Sequence, residues 1–408
     1  MKSTKITYLF EFPKFRKQIK KLNDIIFFFP FYHFGGGETV HLDILKIFEK
    51  YSTSCFVIHK SDNDFLKEEF EKVTQLIDLG KYKSLKYESY IKSLAKKINN
   101  RKNPIVFGCN NRFFYNLIGY LDDTKVKIID LTHAFSYEDP HSVEKFSLPF
   151  VHKIHRRVIL GQRTYNDYQN LYLKHGIDLN FLERIVIISN AVQIPNFFTI
   201  KPLNEGLKVL FVSRNSFEKR PEVFFEIAKR CYERKVNAFF TVIGDFENIE
   251  NSYSNINIIG SINIKEELNR YYIDNDVLLI TSFREGLPMV ILEGMAFGTV
   301  PISTDVGEIS SFVNNRNNNG ILLDDSSVER YINIPHRYTK NEKWFPNNQL
   351  KNIPEDLETI IEKFIKTIKN LDENRNILNS LSENAYNTLK NNFSEEKQKK
   401  AYLDLFFS

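Results

Sequence analysis

The chain of 408 residues has only three cysteines, Cys55, Cys109 and Cys231. They are odd in number and far apart, so neither a disulfide framework nor a thiolate metal site is indicated, and a reducing compartment is expected. Charge of one sign is also scarce in excess. Acids and bases are interspersed to a net +5, so the charge balance does not ask for a nucleic-acid surface. Long apolar runs are missing as well. Met1 to Asp24 lacks the apolar stretch and cleavage site of a secretion signal, and Ile25 to Phe34 is too short to span a bilayer. What remains is a chain with 42% hydrophobic and 26% charged residues, the balance of a folded globular protein. Its length exceeds what one core usually organises, which predicts two domains.

One charged segment stands apart. Lys14, Phe15, Arg16, Lys17, Gln18, Ile19, Lys20 and Lys21 form a basic stretch with apolar interruptions. A contact with anionic lipid headgroups is one reading, and a solvated terminal arm is the other.

Asp24 to Pro30 reads as a buried parallel strand, followed by Gly35, Gly36 and Gly37 and by a helix starting near Glu38. Apolar strands recur at Ser54 to Ile58, Pro104 to Phe107, Val126 to Ile129, Val158 to Leu160 and Ile185 to Ile188, with helical segments such as Tyr165 to Lys174 between them. The composition from Asn190 to Gly206 is that of a linker. A second series follows, with strands at Leu207 to Val212, Ala238 to Ile243, Ile256 to Ile259, Val277 to Ile280, Val300 to Ile302 and Gly320 to Leu323. Its helices are expected at Pro221 to Arg234, Lys265 to Tyr272 and Pro288 to Phe297, and further helical patterns cover Glu355 to Ile368 and Glu373 to Phe407. Val328 to Pro354 reads as a long polar loop. The expected fold class is α/β: two Rossmann-like domains with parallel sheets, residues 1–195 and 196–385, facing each other across a cleft. A terminal helix at 386–408 is expected to cross back to the first domain.

The passage Thr281-Ser282-Phe283-Arg284-Glu285-Gly286-Leu287-Pro288-Met289-Val290-Ile291-Leu292-Glu293-Gly294-Met295-Ala296 is the most informative. A strand delivers Glu285 into a turn at Gly286, and Pro288 suits the first position of a helix. Such a helix aims its N-terminal amides at the ligand edge of the sheet, where a diphosphate fits. Along a helical path, Glu285 and Glu293 would lie about 12 Å apart, wider than the carboxyl pairs of glycosidases at roughly 5 to 9.5 Å. Two carboxylates gripping hydroxyls at opposite ends of a long ligand suit that spacing better. A surface Glu beside a helix-face Glu is the plain structural alternative. Arg214 and Lys219 follow the strand Leu207 to Val212 and precede the helix at Pro221, which puts both on the same edge. A guanidinium fork and a lysine ammonium can hold the charge that develops on a departing nucleoside diphosphate. Arg220, beside Lys219, is a candidate for a further phosphate or acceptor contact.

Arg214 with Lys219, Gly244 with Asp245, Gly260, and Glu285 to Ala296 together resemble the nucleotide-sugar domain of family 4 GT-B glycosyltransferases. The resemblance is marked from about Asn190 to Asp324 and weak before that. It implies a retaining, metal-independent transferase whose donor is a nucleotide-diphosphate sugar. It implies that Arg214 and Lys219 bind the diphosphate, that Glu285 contacts donor-sugar hydroxyls, that Glu293 holds the ribose, and that Gly244, Gly286, Leu287, Pro288, Met289 and Val290 line the donor site. Gly35-Gly36-Gly37-Glu38 resembles the family's glycine loop, and the G-x-G-x-x-G spacing of a dinucleotide site is absent. His133, after a buried strand, resembles the family's His facing the transferred sugar. Glu285, His133, Lys219 and Arg214 are thus the expected catalytic group, with no metal and no cofactor. Ser213, Arg220 and Gly294 depart from the family's usual residues without removing a charged contact, whereas Ala191 and Leu160-Gly161-Gln162-Arg163 depart in the acceptor half.

The expected reaction is a front-face displacement with domain closure. The expected acceptor is a glycan or lipid-linked glycan of a bacterial surface polysaccharide, and the expected location is cytoplasmic or peripheral on the inner membrane face. A nucleotide-sugar epimerase and a catalytically silent nucleotide-sugar-binding module are the competing readings.

Overall fold

A computed structural model describes residues 2–33, 35–136, 142–198, 200–202, 205–250, 252–329 and 353–408. Most of the polar loop expected from Val328 to Pro354 lies outside them. The chain divides into two compact units. Of the described residues, the first comprises those up to Ser136, Ser142–Ser189 and Gln398–Ser408, and the second those within Asn190–Lys397.

The first unit holds a parallel sheet of seven strands: β1 (Ile25–Phe29), β2 (Thr53–Val57), β3 (Gln75–Asp78), β4 (Ile105–Cys109), β5 (Lys127–Thr132), β6 (Arg156–Ile159) and β7 (Ile185–Ile187). Their order is β3-β2-β1-β4-β5-β6-β7. β1 is buried at every position, as a strand covered by helices on both faces must be, which is why it reads as an unbroken Ile-Ile-Phe-Phe-Phe run. The chain winds outward from β1 through β2 to β3, then returns to place β4 on the other side of β1. The carboxyl ends of β1 and β4 therefore flank the point where the winding reverses, the usual ligand position in an open α/β sheet.

The second unit repeats the scheme with β8 (Leu207–Val212), β9 (Ala238–Ile243), β10 (Ile256–Gly260), β11 (Val277–Ile280), β12 (Val300–Thr304) and β13 (Ile321–Leu323). Their order is β10-β9-β8-β11-β12-β13, all parallel. Here the reversal falls between β8 and β11. The apolar faces of helices Pro221–Glu233 and Glu355–Glu373 close one core over this sheet, with Phe211 stacked on Phe224 at 4.3 Å.

Several expectations change in the structure. β3 has no counterpart in the sequence reading, because only Ile77 of its four residues is buried and no apolar run marks it. Lys14 to Lys21 is not a free arm. It ends a helix, Lys2–Gln18, and continues into a 3-10 turn, Ile19–Lys21, with Phe15 and Ile19 buried in the first unit's core. The pattern from Glu373 to Phe407 is two helices, Asn376–Asn392 and Glu395–Phe407. Pro288 is the residue capping its helix rather than the first one in it, and the helix runs Met289–Ala296.

From residue 398 onward the chain packs on the first unit. Phe406 lies against Phe27, Phe48 and Phe107, with ring centroids 5.9, 4.3 and 5.7 Å away. Lys127 donates to the carbonyl oxygens of Phe406 and Ser408 at 3.2 and 2.9 Å, which satisfies carbonyls a helix end leaves open.

Candidate active site

The two loops that follow β8 and β11 leave the sheet side by side at its reversal point. In the first loop, the Ser213 carbonyl passes so close beneath Gly244 that a Cβ there would meet it at 1.8 Å, and Gly244 has φ 142°. Only glycine fits both the space and the torsion. The Asp245 carboxylate accepts from the Asn215 amide at 2.5 Å, closing this loop from the other side. Thr281, at the end of β11, donates its hydroxyl to the Lys219 carbonyl at 2.8 Å, and the Phe283 amide donates to the Glu218 carbonyl at 3.0 Å. The sequence signal for Lys219 and Glu285 was two separate motifs. The fold joins them.

Lys219 Nζ donates to both Glu285 carboxylate oxygens at 2.7 Å, and the Ser282 hydroxyl donates to one of them at 2.6 Å. The Glu285 side chain is 7% exposed and that of Lys219 21%. This is a largely buried ion pair at the carboxyl edge of the sheet. Gly307 presses against the Glu285 backbone with φ 58°, and the Glu308 amide donates to the Gly286 carbonyl at 2.8 Å, which fixes the turn entering the helix Met289–Ala296. Leu287 and Pro288 are buried, whereas Gly286, Met289 and Val290 are partly exposed.

Arg214 stands apart from the pair. Its guanidinium, 74% exposed, donates to Glu218 at 3.1 Å. Burial raises the Glu218 pKa, but Arg214 beside it, the backbone hydrogen bond and Lys219 outweigh that effect and leave the carboxyl below its ordinary value. Glu293, one turn into the helix, accepts from the Tyr272 hydroxyl at 2.9 Å. Burial and the neighbouring Glu293 hold the Tyr272 hydroxyl well above its ordinary pKa, so it stays a donor. Tyr272, Ser282 and Glu218 were not singled out from the sequence, because a Tyr, a Ser and a Glu carry no spacing of their own.

Arg220 is the clear correction. It is fully buried with φ 49° and caps the helix Pro221–Glu233. Its guanidinium pairs with buried Asp325 and donates to Ser327 at 2.8 Å and to the Thr281 carbonyl. A side chain with 0% exposure and such partners ties loops together and is not a phosphate contact.

In the first unit, Gly35 caps the helix Gly36–Ile47 with extended backbone, and its carbonyl accepts from the Thr39 amide at 2.9 Å. Gly36 and Gly37 are exposed, and a Cβ on Gly37 would meet nothing within 4 Å. His133 follows β5, and His41 lies on the buried side of the helix Gly36–Ile47. Their Nε2 atoms are 2.8 Å apart, and Cys109 Sγ at the end of β4 is 3.1 Å from His41 Nε2. Burial pushes the His133 pKa down to about 4. Burial, with His133 adjoining, lowers His41 well below its usual value, so both rings are neutral at pH 7. Burial, with Glu38 adding to it, raises the Cys109 thiol well above its usual value. His41 carried no signal in the sequence beyond its place in the helix after the three glycines.

Residues 193–352 match the model of glycosyl transferases group 1. That stretch contains Arg214, Lys219, Gly244, Glu285 and Glu293, whereas Gly35 to Gly37 and His133 lie outside it. Two curated proteins are similar. One is an "Uncharacterized 41.2 kDa protein in cps region" of Klebsiella pneumoniae, 25% identical over 54% of this chain and 63% of its own length. The other is a UDP-Gal:alpha-D-GlcNAc-diphosphoundecaprenol alpha-1,3-galactosyltransferase of Escherichia coli, 28% identical over 38% of this chain and 45% of its own. The chain thus spans less than two thirds of the length of each. Among solved structures, Anabaena Alr3699/HepE in complex with UDP-glucose superposes with a TM-score of 0.65 at 13% identity, covering 93% of this chain and 98% of that one. At that identity the likeness shows the fold, two Rossmann-like α/β units of GT-B type, and nothing finer. Among the described residues no helix is long and apolar enough to cross a membrane.

Proposed function

We propose that this protein is a retaining glycosyltransferase that moves a sugar from a nucleotide-diphosphate sugar onto a glycan or lipid-linked acceptor and needs no divalent metal. The observation that carries the reading is the ion pair of Lys219 and Glu285 at the reversal point of the second sheet, beside the start of the helix Met289–Ala296. Support also comes from the family match over 193–352 and from the two relatives, one named for transfer to alpha-D-GlcNAc-diphosphoundecaprenol and the other for a cps region.

On donor binding, Lys219 exchanges Glu285 for the diphosphate, and Glu285 is released to accept from sugar hydroxyls. Arg214, exposed and lightly held, swings to the same phosphates. Glu293 accepts from the ribose while Tyr272 keeps it oriented. Backbone around Gly244 and from Gly286 to Val290 lines the donor; His133, in the first unit, is proposed separately as a donor to a sugar hydroxyl. In the transfer step the bond from the anomeric carbon to the phosphate oxygen breaks, and its electron pair stays on the nucleoside diphosphate. The acceptor oxygen forms the new bond on the same face, and its proton passes to a phosphate oxygen. Positive charge fixed at the leaving group lowers this barrier.

Losing Lys219 removes one preorganised charge contact, which typically costs on the order of 3 kcal/mol, or a hundredfold or more in rate. The experiment is a thermal-shift screen of UDP-, GDP- and ADP-sugars, followed by calorimetry on Lys219→Ala and turnover with and without EDTA. One donor class is expected to stabilise the protein, EDTA to leave turnover unchanged, and Lys219→Ala to bind the nucleotide at least tenfold more weakly. Full affinity in Lys219→Ala would remove the phosphate assignment. Conversion of the donor sugar without any acceptor would make the protein an epimerase.

A further inference from the structure

His41 and Cys109, which adjoin His133 at the carboxyl edge of the first sheet, have no role in the transfer described above. His41 is 2% exposed, and its ring lies flat on Phe29 at 4.3 Å. Its Nε2 faces two polar atoms, His133 Nε2 at 2.8 Å and Cys109 Sγ at 3.1 Å. Its other nitrogen, Nδ1, finds no hydrogen-bond partner among the described residues.

A neutral imidazole has one ring proton, so these contacts decide where it sits. If His41 carried it on Nδ1, an N–H would be buried without an acceptor. The single lone pair on Nε2 would then have to serve both His133 and the thiol. With the proton on Nε2, His41 donates along the 2.8 Å contact, the thiol is left a weak neighbour, and only a lone pair is stranded at Nδ1. Buried N–H groups without partners are the rarer and costlier of the two. The receiving atom, His133 Nε2, must then be bare, and the His133 proton must be on Nδ1. The three ligating atoms lie within 4.8 Å of one another, within reach of one ion. A metal, however, would need the buried thiol deprotonated and would force the His41 proton onto the unpartnered Nδ1, so the hydrogen-bonded arrangement is the better fit.

We propose that His41 is a positioning residue that locks His133 in its Nδ1–H tautomer, so that His133 offers a fixed, uncharged N–H donor at the sheet edge. The use of that donor on a sugar hydroxyl rests on the transferase reading above. The tautomer does not.

The experiment is long-range ¹H–¹⁵N correlation on histidine-labelled full-length protein at pH 7, with His41→Gln and His41→Phe alongside. The wild type is expected to show His133 protonated at Nδ1 and bare at Nε2, with His41 the reverse. His41→Gln, whose amide can still donate, should keep the His133 pattern, and His41→Phe should give a mixture of tautomers. With a working donor and acceptor, His41→Phe should lose about tenfold in kcat and His41→Gln should recover most of it. A wild-type His133 protonated at Nε2 would overturn the proposal. So would an unchanged His133 pattern in a folded His41→Phe variant, or a thiolate-to-cobalt absorption band on titration with Co²⁺. A protein with the expected tautomers but no transfer would sink the transferase reading alone.

Discussion

Gly244 shows how a single missing atom shapes the donor edge. The Ser213 carbonyl occupies the place of its Cβ, and its φ of 142° is one that residues with side chains seldom adopt. Gly244→Ala therefore has to push the loop after β8 away from β9, carrying Arg214 and Lys219 with it. We expect a loss of about 2 kcal/mol or more, read as a fall of roughly 4–8 °C in melting temperature, together with weaker nucleotide binding in calorimetry. Unchanged stability and affinity would show that the backbone does not need this contact. The place of Lys219, on the carboxyl edge after β8, was legible because a basic residue between a strand and a proline-started helix has few other places to go. Arg220, its neighbour, looked equivalent in the sequence and is buried instead. Its partners Asp325 and Ser327 are more than a hundred residues away, and no local pattern announces a contact of that range.

At the level of elements, strands with continuous apolar runs were found close to their observed bounds, since full burial on both faces leaves a signature that any reader of the chain can see. β3 was missed because it lies at a sheet edge and buries a single side chain. The break between the helices Asn376–Asn392 and Glu395–Phe407 was missed because both keep the same period, and the interruption at Phe393 and Ser394 contains neither glycine nor proline. The second of these helices packs Tyr402, Leu405 and Phe406 into the first unit, each at most 7% exposed. Truncating Phe406 to Ala should cost about 3–5 kcal/mol, a large part of the whole stability of a typical domain. Denaturant unfolding measures it, with dye binding as the sign that the face over Phe27, Phe48 and Phe107 has been opened. A variant as stable as the parent would mean that this helix end is dispensable.

For the whole molecule, the two-sheet organisation followed from the sequence because each sheet writes its own series of strand and helix periods. The pairing of the His41, Cys109 and His133 side chains did not, because it depends on which strands become neighbours. The helix Lys2–Gln18 was also hidden in the basic stretch that ends it. Ile6, Leu9 and Phe10 are 59%, 68% and 67% exposed on this helix, and Lys14, Arg16, Lys17, Lys20 and Lys21 beyond them are exposed as well. Apolar side chains followed by a basic cluster suit the surface of an anionic bilayer. Full-length protein should sediment with phosphatidylglycerol vesicles and be released in about 0.5 M NaCl, where screening is short-ranged. Replacing Ile6, Leu9 and Phe10 with Ser should abolish binding to these vesicles at low salt. Equal sedimentation of that variant would refute this use of the helix.

The return of residues 398–408 to the first unit has a consequence for how the protein is made. Between Ser189 and Gln398 lie 208 residues, Asn190–Lys397, that belong to the other unit. At ordinary rates of translation they take on the order of 10 to 40 seconds to synthesise. Throughout that interval the nascent first unit exposes the aromatic face that Phe406 later covers, a surface open to chaperones and to aggregation on the ribosome.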